Sequence, residues 1–193
     1  MSLTLYGSKP SPYVRRIRML LAGQPFQFEA INVYDDATRA EYSKISPIRK
    51  LPVLVDGEQT VFDSHVIADY LMDKFALSKP SIEDKNLITA IDAVTDSLII
   101  LFMGKNSGLQ PSPDQLIFKL QWERLPVLLE WLSERARGGD FQHWNFPVMC
   151  LIALIDWVKF SDLYDLTDYP DLLAVRDAFA DSPVVQETMP EAT

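Results

Sequence analysis

Ser11-Pro12 and Asp63-Ser64 each place a hydroxyl directly ahead of a stretch with helical spacing, the second beside a carboxylate. After Ser11 the apolar positions are Val14, Ile17, Leu20 and Leu21. After Ser64 they are Val66, Ile67, Tyr70, Leu71 and Phe75. Recurrence at three and four marks amphipathic helices, so Ser11 and Ser64 read as N-caps, with Pro12 in the first turn. A helix N-terminus has unpaired N–H groups and the positive end of a dipole, and favours an anion. A thiol bound beside Ser11 would ionise more easily there, and the thiolate is the nucleophile. At the second start, Ser64 and the helix N–H groups can take the carboxylate of a zwitterionic amino-acid head, while Asp63 takes its ammonium. Between the two lies Lys50-Leu51-Pro52, leading into the apolar run Val53-Leu54-Val55. A proline cannot donate to a ladder, so Pro52 sits at a strand start or edge. The Leu51 N–H and C=O are then open to an extended peptide. Each part alone has a plainer reading, as an ordinary cap or an ordinary edge residue. Their combination is what points to a ligand.

The elements that carry these residues follow from pattern. Leu3 to Tyr6 reads as a strand ended by Gly7, and the helix after Ser11 runs to about Ala22, where Gly23 stops it. Phe26 to Ile31 alternates and reads as a second strand. Asp35-Asp36 precedes a short helical patch from Ala37 to Tyr42. Val53–Val55 and Thr60–Phe62 flank Asp56-Gly57, which predicts a hairpin. The order is βαβαββα. Beyond Phe75 the pattern turns helical throughout. Leu87, Ile88, Ile91, Val94, Thr95 and Leu98 form one stripe, and Ser112-Pro113-Asp114-Gln115 resembles a capping box opening the next helix. Pro126 should kink that helix. Pro147 to Phe160 is apolar almost all round and belongs at the centre of a bundle. Tyr169-Pro170 opens a last helix, and the tail after Pro183 is expected to fray.

Composition bounds the function. The chain has 193 residues, a formal charge of −9 and a pI near 4.7, which argues against nucleic acid as a partner. No stretch approaches the ~18 uninterrupted apolar residues of a membrane span, and no leader is expected ahead of the first strand-like run. Cys150 stands alone and cannot form an internal disulfide, so a reducing cytoplasmic setting is expected. His65 and His143 lack ligand spacing, so no metal is expected. Arg15, Arg16 and Arg18 read individually as solvated or salt-bridged, although cations near a helix N-terminus call for acidic compensation. Trp122, Trp131, Trp144 and Phe146 read as core residues first.

The run Lys50-Leu51-Pro52, the hairpin and Asp63-Ser64 opening a helix resemble the second half of the thioredoxin-like domain of cytosolic glutathione transferases. Ala68, Tyr70 and Leu71 fit the helix that follows. The resemblance extends over nearly the whole chain and implies a divergent, bacterial-type, Ser-using member. Its fold would be an α/β thioredoxin-like domain over 1–76, a linker over 77–85 and an all-helical domain over 86–193. It implies a cis Pro52, and Ser11 donating to the sulfur of glutathione, with Ser8 as competitor. Ser11-Pro12-Tyr13-Val14 falls where glutaredoxins carry Cys-Pro-Tyr-Cys, and the missing cysteine argues against thiol exchange. Lys50 would meet the glycine carboxylate, the Leu51 backbone would pair with the tripeptide, and Asp63 and Ser64 would hold its γ-glutamyl head. An electrophilic apolar co-substrate would be held against the helical domain, and a homodimer is implied. Where the family's buried sixth helix opens with Ser/Thr-x-x-Asp, this chain has Asn145-Phe146-Pro147-Val148. The rival reading is a non-catalytic interaction module like the stringent starvation proteins.

Overall fold

The computed structural model describes residues 3–32 and 35–192. Among them the first strands and helices run β1 (Leu3–Gly7), α1 (Pro12–Leu20), β2 (Gln27–Ala30), α2 (Asp36–Ile45), β3 (Val53–Asp56), β4 (Gln59–Phe62) and α3 (Ser64–Lys74). This is the βαβαββα order that the pattern predicts. The remaining elements are helices: α4 (Ile82–Asn106), α5 (Leu116–Arg137), α6 (Phe146–Ser161), α7 (Pro170–Ala178) and α8 (Pro183–Glu187). The chain divides into two compact units, Met1–Lys79 with Asp181–Thr193, and Pro80–Ala180.

That division corrects the expected domain spans. Residues 77–79 belong to the first unit, and α4 starts inside the expected linker. Ser81 and Asp84 cap it reciprocally, each side chain meeting the other's backbone N–H at 3.1 and 2.9 Å. The expected 86–193 domain loses its end, because residues 181–192 fold with the first unit. The tail is not frayed: it forms α8, and Val185 is fully buried. Met1, Ser2, Val33, Tyr34 and Thr193, which the expected spans include, lie outside the described residues.

In the first unit the sheet order is β2-β1-β3-β4. β1 pairs in parallel with β2 and antiparallel with β3, which pairs antiparallel with β4. Leu3, Leu5, Val53 and Leu54 are buried in its core, with Ile17 from α1 and Ile67 and Leu71 from α3. The loop after β1 turns tightly into α1. Gly7 lies against the buried Val14, and a Cβ on Gly7 would stand 2.3 Å from Val14 Cγ1.

In the second unit α6 is buried from Phe146 to Val158, as an all-round apolar helix requires. Asn145 Oδ1 accepts from the Val148 N–H at 3.1 Å, so the cap survives the loss of the carboxylate. Asp156 on α6 is held by Arg176 of α7 at 2.7 Å. α5 departs from expectation at its start. Ser112 and Asp114 make a local turn, and the helix begins only at Leu116 with no side-chain cap. It continues through Pro126, which is exposed and leaves the carbonyl four residues earlier without its helical N–H partner. α4 is long and apolar enough to cross a membrane, yet 56 % of its most apolar window is buried inside the protein, as in a core helix.

The close approach of Gly7 to Val14 generates a prediction. Gly7→Ala overpacks the β1–α1 corner and should lower stability by about 1–3 kcal/mol. Chemical denaturation measures this, and an unchanged midpoint would mean that α1 can retreat from β1.

Candidate functional site

The sheet register brings the sequence-predicted residues together. Tyr6 pairs with Val53, and Val53 pairs with Phe62, so these three form one row across β1, β3 and β4. Just beyond that row the chain leaves the sheet at three neighbouring points. Gly7 leads into Ser8–Ser11 and α1, Leu51-Pro52 enters β3, and Asp63-Ser64 leaves β4 for α3. Two helix N-termini and a proline-started strand therefore share one end of the sheet.

Ser11 caps α1. Its Oγ accepts from the Val14 N–H at 3.4 Å and its carbonyl accepts from the Arg15 N–H at 2.9 Å. Capping uses a lone pair of the hydroxyl, and the O–H itself remains able to donate. Ser11 is half-buried, and its own N–H donates to the Ser8 carbonyl at 3.1 Å.

The Leu51–Pro52 bond is cis, and β3 pairing begins only at Val53. Leu51 is half-buried and Pro52 buried. Neither the N–H nor the C=O of Leu51 has a hydrogen-bond partner among the described residues. The residue before it is fastened: the Lys50 carbonyl accepts from the Tyr42 hydroxyl and from Ser46 Oγ at 3.5 Å. Burial pushes the Tyr42 phenol up from its ordinary pKa, so it stays a donor. The Lys50 side chain is exposed.

At α3 the structure corrects the capping assignment. Asp63, not Ser64, is the N-cap: its carboxylate accepts from the His65 N–H at 2.8 Å. Asp63 has φ of 67° with ψ of 135°, a positive-φ conformation outside the αL basin that is strained for a residue with a Cβ. The turn leaves Asp63 exposed and sends Ser64 inward. There Ser64 Oγ accepts from Arg16 Nη2, a contact between α1 and α3.

Sequence reasoning missed the arginines. Arg15 is 0 % and Arg16 2 % exposed, which overturns the solvated alternative of the expectation for these two. Arg16 also lies over the Tyr13 ring at 4.7 Å. The available signal was position: on a short helix against a sheet, Arg15 and Arg16 flank the apolar face of Val14 and Ile17. The tryptophans err in the other direction. Trp122, Trp131 and Trp144 are each more than a third exposed, and only Phe146 is core. Cys150 is buried, as expected. No group of three or more metal-ligating side chains occurs among the described residues.

Chemically, this end of the sheet combines a helix-capping hydroxyl, an open backbone edge and an exposed carboxylate at a second helix start. These suit an extended peptide that carries an amino-acid head and an ionisable group.

The chain also resembles known proteins over most of its length. The family described as Glutathione S-transferase, N-terminal domain, matches residues 5–79. A glutathione S-transferase of Triticum aestivum is 30% identical over 202 residues, covering 97% of this chain and 92% of the relative. Among solved structures, a glutathione S-transferase of Methylobacillus flagellatus KT with bound GSH superposes with a TM-score of 0.83 at 19% identity, covering 98% of this chain and 100% of the other. One of Methylobacterium radiotolerans, in complex with glutathione sulfonate, gives 0.81 at 22% identity, covering 100% and 97%. At those identities the structural likeness speaks for the fold.

Ser64→Ala removes one acceptor from the buried Arg16 guanidinium. It should cost about 1–3 kcal/mol of stability, read by thermal or chemical denaturation, and a variant as stable as the parent would show the contact to be incidental.

Proposed function

This chain belongs to the glutathione S-transferase family, and on that premise we propose that the end of the sheet described above binds glutathione and activates its thiol. The observation that carries the proposal is the row Tyr6–Val53–Phe62, which sets Ser11, Leu51 and Asp63 at neighbouring exits from the sheet. Glutathione is an extended tripeptide with a γ-glutamyl head, a cysteine in the middle and a glycine carboxylate. The Leu51 N–H and C=O take its backbone as an added strand would. The exposed Asp63 carboxylate takes the ammonium of the head, and the α3 N-terminus with Ser64 takes its carboxylate. Lys50 is exposed and supplies a cation for the glycine carboxylate.

The chemistry assigned to Ser11 follows from its capping role. Its lone pair already serves Val14, so its hydrogen is the group offered to a sulfur. Donation to the thiolate, with the α1 dipole behind it, lowers the thiol pKa. The thiolate then attacks an electrophilic carbon of an apolar co-substrate. A C–S bond forms, and the electron pair leaves with a departing group or settles on an acceptor atom that takes up a proton. The same thiolate could serve isomerisation or peroxide reduction. The lone cysteine is buried and leaves this thiol chemistry to glutathione. A cytoplasmic setting, where glutathione is reduced, fits the reading.

A second copy of the chain is part of the proposal. On α5, Leu116, Ile117, Leu120, Val127 and Trp131 are exposed, and their spacing puts them along one side of the helix. Exposed apolar residues gathered on one side of a helix, here on either side of the charged Glu123 and Arg124, mark an association face, and a two-fold pair would cover them on both chains. Val127→Glu should then shift the protein toward the monomer in sedimentation velocity, and an unaltered profile would remove α5 from the interface.

The site is tested by calorimetric titration with reduced glutathione. Asp63→Ala should weaken binding about 10–100-fold, the loss of a charge-assisted hydrogen bond. Ser11→Ala should still bind, but with thiolate-dependent turnover on a model electrophile reduced about 100-fold. No binding to the parent protein at millimolar glutathione would instead support the non-catalytic interaction module.

A further inference from the structure

Arg15 is an unusual residue to bury. Its side chain is 0 % exposed and among the largest fully buried in the protein. Burial of a guanidinium is costly where an apolar residue of similar length would not be. What the guanidinium provides is a planar fork of donors, and the fork is used on the carboxy-terminal segment. Arg15 Nε donates to Thr188 Oγ1 at 3.3 Å, while Nη2 donates to the Val185 carbonyl at 3.0 Å and to Met189 Sδ at 3.5 Å. Thr188 is itself buried, and its hydroxyl donates to the Val184 carbonyl at 2.7 Å. One turn further along α1, Arg18 Nη2 donates to the Glu187 carbonyl at 3.1 Å. At the loop before α1, Lys9 pairs with Glu191 at 2.7 Å. The tail thus grips α1 along its length.

The other end of Arg15 meets the candidate site. Its backbone N–H closes the first turn of α1 on the Ser11 carbonyl at 2.9 Å. The residue whose side chain is fastened to α8 therefore has its main chain fastened to Ser11. We propose that Arg15 is a positioning residue for the Ser11 hydroxyl, and that residues 183–189 are the anchor against which it does so. This rests on the reading of Ser11 as the thiolate donor. A hydroxyl that acts on a sulfur must be held closely, since small misplacements of a reacting group carry large rate penalties. The first turn of a helix is where the chain is otherwise least constrained, because its N–H groups lack intrahelical partners. The fork of Arg15, pinned at a distance of 173 residues in sequence, removes that freedom.

The test uses the full chain with Thr188→Val, which keeps shape and loses one acceptor, and Arg15→Lys, which keeps charge and loses the fork. The parent and Ser11→Ala set the range. Ultraviolet absorbance of the thiolate of bound glutathione is followed against pH, alongside glutathione affinity and thermal melting. The expected result is a thiolate midpoint in Thr188→Val and Arg15→Lys moved upward toward that of Ser11→Ala, with kcat/KM at neutral pH down about 10-fold. Variants that melt earlier but keep the parent's midpoint would make the anchor merely structural and overturn the proposal. A parent protein whose bound glutathione has an unshifted midpoint would overturn the Ser11 reading, and this inference with it. The two failures are distinguishable because the first leaves Ser11→Ala different from the parent.

Discussion

The pairing of β1 on both of its sides, parallel to β2 and antiparallel to β3, is the constraint from which the candidate site follows. Side chains alternate along a strand, so a slip of one residue would turn the buried Leu3 and Leu5 out to the opposite face. The core holds the register, and the register sets Tyr6, Val53 and Phe62 in one row. Only then do the exits of three separate segments become neighbours. The site is in this sense a by-product of a hydrophobic requirement. Gly7 adds a second steric condition, because only a residue without a Cβ lets Val14 close down and brings Ser11 to the end of β1.

Helix α1 carries more constraint than its nine residues suggest. Ser11 caps it, Val14 presses on Gly7, Arg16 reaches across to Ser64, and Arg15 reaches to α8. Two buried cations on one short helix are a poor choice for stability alone. They are a sensible choice where the orientation of the helix start has consequences, since each guanidinium fixes direction as well as distance. The second unit solves a simpler problem. Its α6 needs only to be apolar all round and to have one end stopped, and Asn145 stops it without the carboxylate that accompanies the cap elsewhere.

Local chemistry was readable wherever one residue type dictates one geometry. Pro52 ahead of an apolar run marked a strand start, Asp56-Gly57 a turn, and Pro12 after Ser11 a helix start. Each reflects a backbone preference that operates within a few residues. The same logic failed at the Asp63-Ser64 pair, where two good capping residues compete. Asp63 took the cap by adopting a positive φ, and Ser64 was drawn inward by an arginine 48 residues away in sequence. At Ser112 a capping motif made a turn and no helix.

The amino-acid sequence by itself determined the βαβαββα order, the all-helical remainder and the residue types at the site, because periodicity and turn chemistry are short-range. Tertiary structure decided three further matters: that Ser11, Leu51 and Asp63 share one end of the sheet, that Arg15 and Arg16 are buried, and that the tail returns to the first unit as α8. The reason is common to all three. A charge is buried, or a chain end ordered, when partners distant in sequence meet it with hydrogen bonds of the right geometry. That balance of desolvation against pairing is settled by residues far apart in sequence.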